Sequence, residues 1–325
     1  MSNANDMSRC LAALEQDSTL VAVIEMGKSS WLVAGVVPGI ERHPLKKLAA
    51  NEGALLALLY RWRDEAKKAG HVIKRICVAY EAGRDAFWLA RWLRKRKIEA
   101  YVIHPTSVCV SREHRRAKTD RLDTEHLMRA FIGWLRSETD HCRMCAIPTL
   151  EEEDGKRPSR EREHLVGEHT RIINRLKSCL ARLGIRDFNP ASRKAPERIA
   201  KVRTPEGTPI PPNTLDELKH DMAHLRFIRD QIEEVEKSRL ARLQKAPQKG
   251  PHAMVRSLAS IHGLGIETAD MLVHEVLLRS LRDQRAVPRY AGLTGSPDES
   301  GQRRREKGLA RVRYTTTCNC SVVVI

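Results

Sequence analysis

The amino-terminal part of this chain is predicted to be an α/β domain built on a mixed sheet. From about residue 20 to residue 105, apolar runs typical of buried strands alternate with amphipathic stretches typical of helices. The first two strand-like runs follow one another directly, whereas each later run follows a helical stretch. A meander followed by strand–helix alternation predicts a sheet that combines antiparallel and parallel pairing.

The predicted elements of this domain follow one another closely. Strands are expected at 20–24, 31–37, 72–80 and 98–103, with helices at 52–69 and 85–95. Gly83 fits a tight turn between the third strand and the second helix. The segment 107–134 is expected to be a loop that enters a helix. This order is similar to that of RNase H-like (RuvC-like) domains, and we place the domain at 18–138.

A helical arm is predicted at 151–248. Two long polar patterns, each with apolar residues at spacings of three and four, are separated by a proline-rich break at 204–212. Narrow apolar seams of this kind predict an antiparallel coiled-coil hairpin, and Asn213 is the expected N-cap of its second helix. The arm is interpreted as a spacer, a dimer contact, a basic rail for nucleic acid, or an ordinary helix pair with solvated faces.

A small, mostly α domain is predicted at 251–314, followed by an atypical tail at 315–325. His262, Gly263 and Gly265 lie between two helical patterns, an arrangement typical of a helix-hairpin-helix. Glycines in such a hairpin let backbone amides approach a phosphate, and the start of the next helix adds its positive dipole end. The alternative is a plain glycine turn between packed helices.

The charge balance indicates a polyanionic partner. The chain carries 58 Lys and Arg against 41 Asp and Glu, a net charge of +17. Such a protein attracts nucleic acid and releases its counterions on binding. Because no apolar run reaches 18 residues and the start of the chain lacks an apolar leader, we expect a cytoplasmic protein without a membrane partner.

Four acidic residues lie at positions where their carboxylates could form one site. Glu25 and Glu81 each follow an apolar strand-like run, and Asp120 and Asp123 are three apart at the start of a predicted helix. Strand ends carry the sites of open α/β sheets. Each acid alone is read as an ordinary surface or capping carboxylate, but the set predicts an oxygen-lined site for Mg²⁺ or Mn²⁺.

Three groups of basic residues flank these segments. They are Arg91, Arg94, Lys95, Arg96 and Lys97; Arg112, Arg115, Arg116, Lys118 and Arg121 before and within the acidic tract; and Arg303, Arg304, Arg305 and Lys307 near the end of the chain. Basic side chains at such positions would hold DNA phosphates without reading sequence. Read as solvated faces, they would have no such role.

Several motifs together resemble one family of proteins. It is the DEDD-type insertion-sequence transposases, which are relatives of the Piv invertase and include bridge-RNA-guided recombinases. The similarity extends from about residue 20 to residue 308. The motifs that carry it are Glu25, Tyr80-Glu81-Ala82-Gly83, Lys118-Thr119-Asp120-Arg121-Leu122-Asp123, Ile261-His262-Gly263-Leu264-Gly265, Ala291-Gly292-Leu293-Thr294 and Glu299-Ser300-Gly301.

The resemblance implies a chemistry and a set of partners. By motif, Glu25, Glu81, Asp120 and Asp123 match an acidic tetrad that binds Mg²⁺, and Ser300 matches a serine that attacks DNA to form a 5′-phosphoserine. A serine hydroxyl is a weak nucleophile that needs a base or a metal to activate it. The family also implies a guide RNA and a homo-oligomer, from dimer to tetramer, with sites completed between protomers.

The chain departs from the family pattern at two places. Glu25 stands where the family usually has Asp, and the sequence after Ser300 is shorter than usual before the tail at 315–325. We therefore expect a truncated end. Two alternatives follow: a structure-selective, junction-resolving nuclease that uses the same acids with water, and a catalytically inactive copy that still binds nucleic acid.

Overall fold

The computed structural model describes residues 14–83, 86–108, 120–138, 141–279, 284–290, 296–300 and 303–307. These residues divide into two compact units. One unit is drawn from Met1–Thr149 together with Ser280–Ile325, and the other is Leu150–Arg279. The first unit is therefore assembled from two separate stretches of the chain.

A five-stranded sheet forms the centre of the first unit. Its strands are β1 (Thr19–Met26), β2 (Ser30–Val36), β3 (Leu45–Ala49), β4 (Arg75–Glu81) and β5 (Glu99–Ile103). They lie in the order β3-β2-β1-β4-β5. The pairs β1–β2 and β2–β3 are antiparallel, while β1–β4 and β4–β5 are parallel. The predicted α/β class and mixed sheet are confirmed.

Helices cover both faces of this sheet. They are α1 (Glu52–Lys68), α2 (Ala86–Arg94) and α3 (Asp120–Leu135). Side chains of a strand alternate between faces, and β1 is apolar on both: Leu20, Ala22 and Ile24 belong to the core with α1 and α2. Val21 and Val23 belong to the second core, which contains α3. Burial of β1 on both faces explains its continuous apolar run.

The second unit contains the arm. Its helices are α4 (Leu150–Gly155), α5 (Arg157–Arg182), the short α6 (Ala195–Arg198) and α7 (Pro212–Lys245). Ion pairs join Arg162 to Glu236 and Arg175 to Asp221, so α5 and α7 run antiparallel. Their shared apolar core matches the predicted seam.

The expected cap of the second arm helix was wrong. Asn213 lies inside the first turn of α7, whose N-cap is Pro211 and whose first residue is Pro212. Proline suits the first helical position because its φ is already helical and the missing N–H would have no intrahelical partner there. The helix therefore starts earlier than the pattern of capping residues suggested.

Two further helices complete the second unit. They are α8 (Pro251–Ala259) and α9 (Ile266–Leu272), and α9 continues into a π-helical turn over Val273–Leu277. Buried charges join them to the arm: Arg239 of α7 forms ion pairs with Glu267 and Asp270. The Ser159 hydroxyl donates to Asp270 at 2.9 Å. Charges this deeply buried require partners.

The predicted carboxy-terminal domain also contains a β-hairpin. Besides α10 (Ala286–Tyr290), the structure has β6 (Ser296–Ser300) paired antiparallel with β7 (Arg303–Lys307). These residues belong to the sheet-containing unit, whereas α8 and α9 belong to the arm-containing unit. The division of the chain into domains at 18–138, 151–248 and 251–314 stays a prediction.

None of the helices in the described part of the chain is long and apolar enough to cross a lipid bilayer.

Candidate active site

Glu25 and Glu81 lie side by side at one edge of the sheet. The parallel register between β1 and β4 runs up to the pair Ile24 and Tyr80, and the two glutamates are the next residue of each strand. Neighbouring strands are about 4.8 Å apart. The sheet therefore brings together two acids that are 56 residues apart in sequence.

Both glutamates fall on the sheet face that α3 covers. Residues two and four positions before Glu25, Val23 and Val21, belong to the core that contains α3. Ala79 and Cys77 stand in the same relation to Glu81 and belong to the same core. The pleat repeats every two residues, so the two carboxylates leave the sheet on this face.

The direction of α3 brings its first turn to the same edge. Trp134, near the end of α3, packs against Tyr101 with ring centroids 4.9 Å apart. The Tyr101 hydroxyl donates to Glu99, the first residue of β5, at 2.7 Å. The end of α3 thus lies beside the strand starts, and its 16 residues run back along the strands by about 24 Å. Its first turn consequently lies near the strand ends.

The acidic pair occupies this first turn. Asp120 is the first residue of α3, and Asp123 lies three residues later and is half-buried. The backbone position of Asp120 is described, but its side chain is not. Glu25 and Glu81 thus share one edge and one face of the sheet, and the backbone of the acidic turn of α3 is directed toward that edge.

The described acids do not by themselves enclose an ion. Among the side chains that the structure describes, no group of three or more His, Cys, Asp or Glu is spaced to hold a metal. Glu25, Glu81 and Asp123 are within that set, and the Asp120 side chain is not. The donor chemistry still fits a hard divalent cation, because all four predicted ligands are carboxylates.

The basic residues before the helix fall mainly outside the described residues. Arg115, Arg116 and Lys118 belong to the segment 109–119, which is not described. Arg121 is exposed on the first turn of α3 and pairs with Glu125 at 3.4 Å. Exposed i,i+4 pairs contribute only about 0.3–0.5 kcal/mol, so this pair would yield readily to a phosphate.

A second basic run is used for packing. Arg94 donates two hydrogen bonds to the Ala100 carbonyl, at 3.1 and 3.0 Å. Arg91 donates to the Pro148 carbonyl, and Arg96 lies over the Trp92 ring. A run of arginines read as a phosphate-binding surface therefore includes side chains that hold α2 against its surroundings.

Ser300 is the last residue of β6, and its register partner is Arg303 of β7. Arg304 and Arg305 pair with Glu299 and Asp298 in the same hairpin. The described residues of the hairpin belong to the compact unit that contains the acidic edge. Of the hairpin, the structure describes the backbone register; the side chains and the connecting residues 301–302 lie outside its description.

The residues of the predicted helix-hairpin-helix form α8, a turn and α9. Gly263 has φ +86°, a left-handed conformation that glycine adopts without cost. A Cβ built at Gly263 or at Gly265 would meet no atom within 4 Å, and His262 is exposed. The turn therefore presents bare backbone to open space, as contact with a phosphate requires.

Sequence patterns did not reveal the buried charges at the base of the arm. Asp270 is 4% exposed, and Arg239 is 3% exposed although it occupies a helix rich in other charges. Burial lowers the pKa of Arg239, and the Asp270 carboxylate opposes that shift. Their helical spacing from apolar neighbours is the one signal that could have indicated burial.

Comparisons with known proteins show which family the chain belongs to. Residues 255–317 match the profile of the family described as Transposase IS116/IS110/IS902. The chain is 34% identical over 319 residues to the protein named "Putative transposase y4rJ" from Sinorhizobium fredii, covering 95% of this chain and 80% of that relative. No solved structure matches the chain. This identity and coverage show that the chain belongs to the IS116/IS110/IS902 family of transposases.

Proposed function

We propose that the chain is the transposase of an insertion sequence that cuts and rejoins DNA by serine transesterification. The observation that carries the proposal is the position of Glu25 and Glu81 at neighbouring strand ends, on the face of the sheet that α3 covers. The strand order 3-2-1-4-5 supports an RNase H-like (RuvC-like) domain. The Ser300 hairpin belongs to the same compact unit, which supports the serine as the partner of the acids.

The serine carries the bond exchange. Its Oγ attacks the phosphorus of a DNA phosphodiester, the P–O bond to the 3′ oxygen breaks, and a 5′-phosphoserine forms. The leaving 3′ oxygen takes up the proton that the serine releases. Attack by a 3′-hydroxyl of the second strand then rejoins DNA and restores the serine. Each step exchanges one phosphodiester for another, so no nucleotide cofactor is consumed.

The acids would hold the metal. Glu25, Glu81, Asp120 and Asp123 supply only oxygen donors, which suits Mg²⁺ or Mn²⁺. When bound, such an ion stabilises the negative charge that develops on the phosphoryl oxygens. The carboxylates would fix the position of the ion at the sheet edge. Arg121 and the basic residues of β7 would hold flanking phosphates.

The partners of the reaction follow from the same proposal. DNA is the substrate, and the helix-hairpin-helix turn at His262, Gly263 and Gly265 would contact its backbone. The family resemblance adds a guide RNA and a homo-oligomer as proposed partners.

A covalent adduct tests the proposal directly. Purified chain incubated with Mg²⁺, the DNA ends of its element and the guide RNA should form a protein–DNA adduct that survives denaturation. Ser300→Ala should abolish it, whereas Ser296→Ala on the same strand should retain it. Asp120→Asn should lower the yield at least about 100-fold, the scale of losing one contributor to transition-state stabilisation.

Four results would overturn parts of the proposal. An adduct that persists in Ser300→Ala would remove the serine from its role. Strand cutting that persists in Ser300→Ala but ends in Asp120→Asn would instead favour a junction-resolving nuclease. A wild-type chain that binds DNA without cutting in Mg²⁺ or Mn²⁺ would indicate an inactive copy. Omitting the RNA should prevent the adduct; full yield without it would exclude RNA guidance.

A further inference from the structure

The end of the arm is a folded cap. The segment 186–203 connects α5 to α7 and buries Ala195 and Ile199 in the core of the arm. Arg229 of α7 donates a hydrogen bond to the Ala191 carbonyl and a second one to His169 of α5. Apolar packing and the hydrogen bond from Arg229 thus hold the cap against the arm, and Arg229 in turn contacts α5 through His169.

This cap concentrates positive charge. The segment 186–203 has six basic residues against two acidic ones. By contrast, α7 has seven of each over its 34 residues. The charged residues of the cap are Arg186, Arg193, Lys194, Arg198, Lys201 and Arg203 with Asp187 and Glu197. The helix α5 has the same excess, with seven basic residues against three acidic ones over its 26 residues, so the excess is denser in the shorter cap.

Three of these basic residues form a row. Lys194 is the N-cap of α6, Arg198 ends it, and Lys201 ends the 3-10 turn that continues it. Their spacings of four and three put them on one side of this helical stretch, which differs from the side of the buried Ala195 and Ile199. All three are exposed.

The row has no internal charge partner. Within Leu150–Arg279, all of which the structure describes, no ion pair involves Lys194, Arg198 or Lys201. Arg193 differs from them, because it pairs with Glu233 at 3.1 Å. The backbone of the cap thus holds three unpaired cations side by side. An anionic partner from outside the arm could bind them.

We propose that this cap binds the backbone of duplex DNA. The row spans about 10 Å, and each strand of duplex DNA carries one charge per about 3.4 Å of helix axis, so a stretch of one strand as long as the row carries about three phosphates. The aromatic residue of the cap, Phe188, packs against the core of the arm. The row therefore offers phosphate contacts rather than a stacking platform, which favours a duplex over a single strand. The inference goes beyond the proposed function, which gives the arm no role.

The salt dependence of binding tests this surface. A triple variant of the full chain, Lys194→Gln with Arg198→Gln and Lys201→Gln, is compared with wild type for binding a labelled duplex in EDTA. Each lost phosphate contact lowers the slope of log affinity against log salt by about 0.9. The triple variant should therefore lose up to about 2.7 from the slope. The charge-keeping triple Lys194→Arg, Arg198→Lys and Lys201→Arg should retain the slope.

A matched triple controls for net charge. Arg171, Lys177 and Lys245 are exposed on α5 and α7, and changing all three to Gln removes the same charge. This control should keep the wild-type slope. Equal losses in both triples would overturn the proposal in favour of general attraction. An unchanged slope in the cap triple, or a loss seen with an RNA hairpin but not with the DNA duplex, would also overturn it.

Folding and chemistry are kept separate from this test. Far-UV circular dichroism should show wild-type helix content in the cap triple and in the control triple. If the cap triple does not fold, the double variant Lys194→Gln with Lys201→Gln replaces it. That double variant should lose up to about 1.8 from the slope. Since EDTA prevents strand cutting, the result does not depend on Ser300 or on the acids.

Discussion

Two glycines adopt the same left-handed backbone in different surroundings. Gly70 has φ +89° after α1, Gly263 has φ +86° in the helix-hairpin-helix turn, and a Cβ at either would meet no atom within 4 Å. Any other residue in this conformation costs about 1–2 kcal/mol. Both positions thus need glycine because of the backbone conformation. Only Gly263 is proposed to contact DNA.

Substituting alanine separates the two roles. Gly70→Ala and Gly263→Ala should each destabilise the chain by about 1–2 kcal/mol, as measured by urea unfolding. Gly263→Ala alone should also weaken duplex binding, because its Cβ would keep the phosphate away from the backbone. Equal DNA affinity in the two variants would show a plain glycine turn at 263.

His169 makes the attachment of the cap sensitive to pH. Arg229 Nε donates to His169 Nε2 at 3.2 Å, which requires an uncharged imidazole. Burial, and then the Arg229 charge, lower the pKa of His169 below its usual 6.5. A base with a lowered folded-state pKa stabilises the fold above its unfolded pKa, and that stability is lost as the pH falls below it.

The loss of stability at low pH should be measurable in the cap itself. Between pH 7.5 and pH 5.5, about one unit above and below the usual pKa, amide hydrogen-exchange protection of residues 189–203 should fall. His169→Gln should reduce this pH dependence, since a glutamine oxygen can accept the Arg229 bond and does not titrate. Protection that is equally pH-dependent in both proteins would contradict a role for His169.

Among the elements, α7 offers a matched pair of apolar residues. Leu225 is 2% exposed in the core of the arm, and Phe227, two residues away, is 59% exposed. Leu225→Ala should cost about 2–5 kcal/mol by leaving a cavity. Phe227→Ala should stay within about 0.5 kcal/mol. Urea unfolding followed at 222 nm measures both, and similar costs would contradict the observed packing of α7.

Elements with a strong hydrophobic period could be predicted from the sequence. Strands that form only because they pair with a neighbouring strand could not. The runs of β1 and β4 are buried on both faces and stand out. The edge strand β3, Leu45–Ala49, is exposed except at Leu48 and was missed. Its pairing with β2 defines it. The hairpin of Ser296–Ser300 and Arg303–Lys307 has no apolar alternation, so its sequence carried no strand signal.

The placement of the acids depends on the whole molecule rather than on any motif. Spacing alone indicated that Asp120 and Asp123 share a helix turn, and strand ends indicated Glu25 and Glu81. Their convergence requires the β1–β4 register and the direction of α3. No local pattern could reveal that residues within 284–307 join the unit built from residues within 14–149.

That assembly determines whether one chain can provide both the acids and the serine. Because the Ser300 hairpin belongs to the same compact unit as the acidic edge, we expect each site to be built within one chain. Mixing Ser300→Ala chains with Asp120→Asn chains should then leave adduct formation lost, since every chain lacks one part. If the hairpin instead serves a neighbouring copy, as the family resemblance implied, intact acids from one variant would meet an intact serine from the other. Adduct recovered in the mixture, absent from either variant alone and linked only to Asp120→Asn chains, would show a site shared between copies.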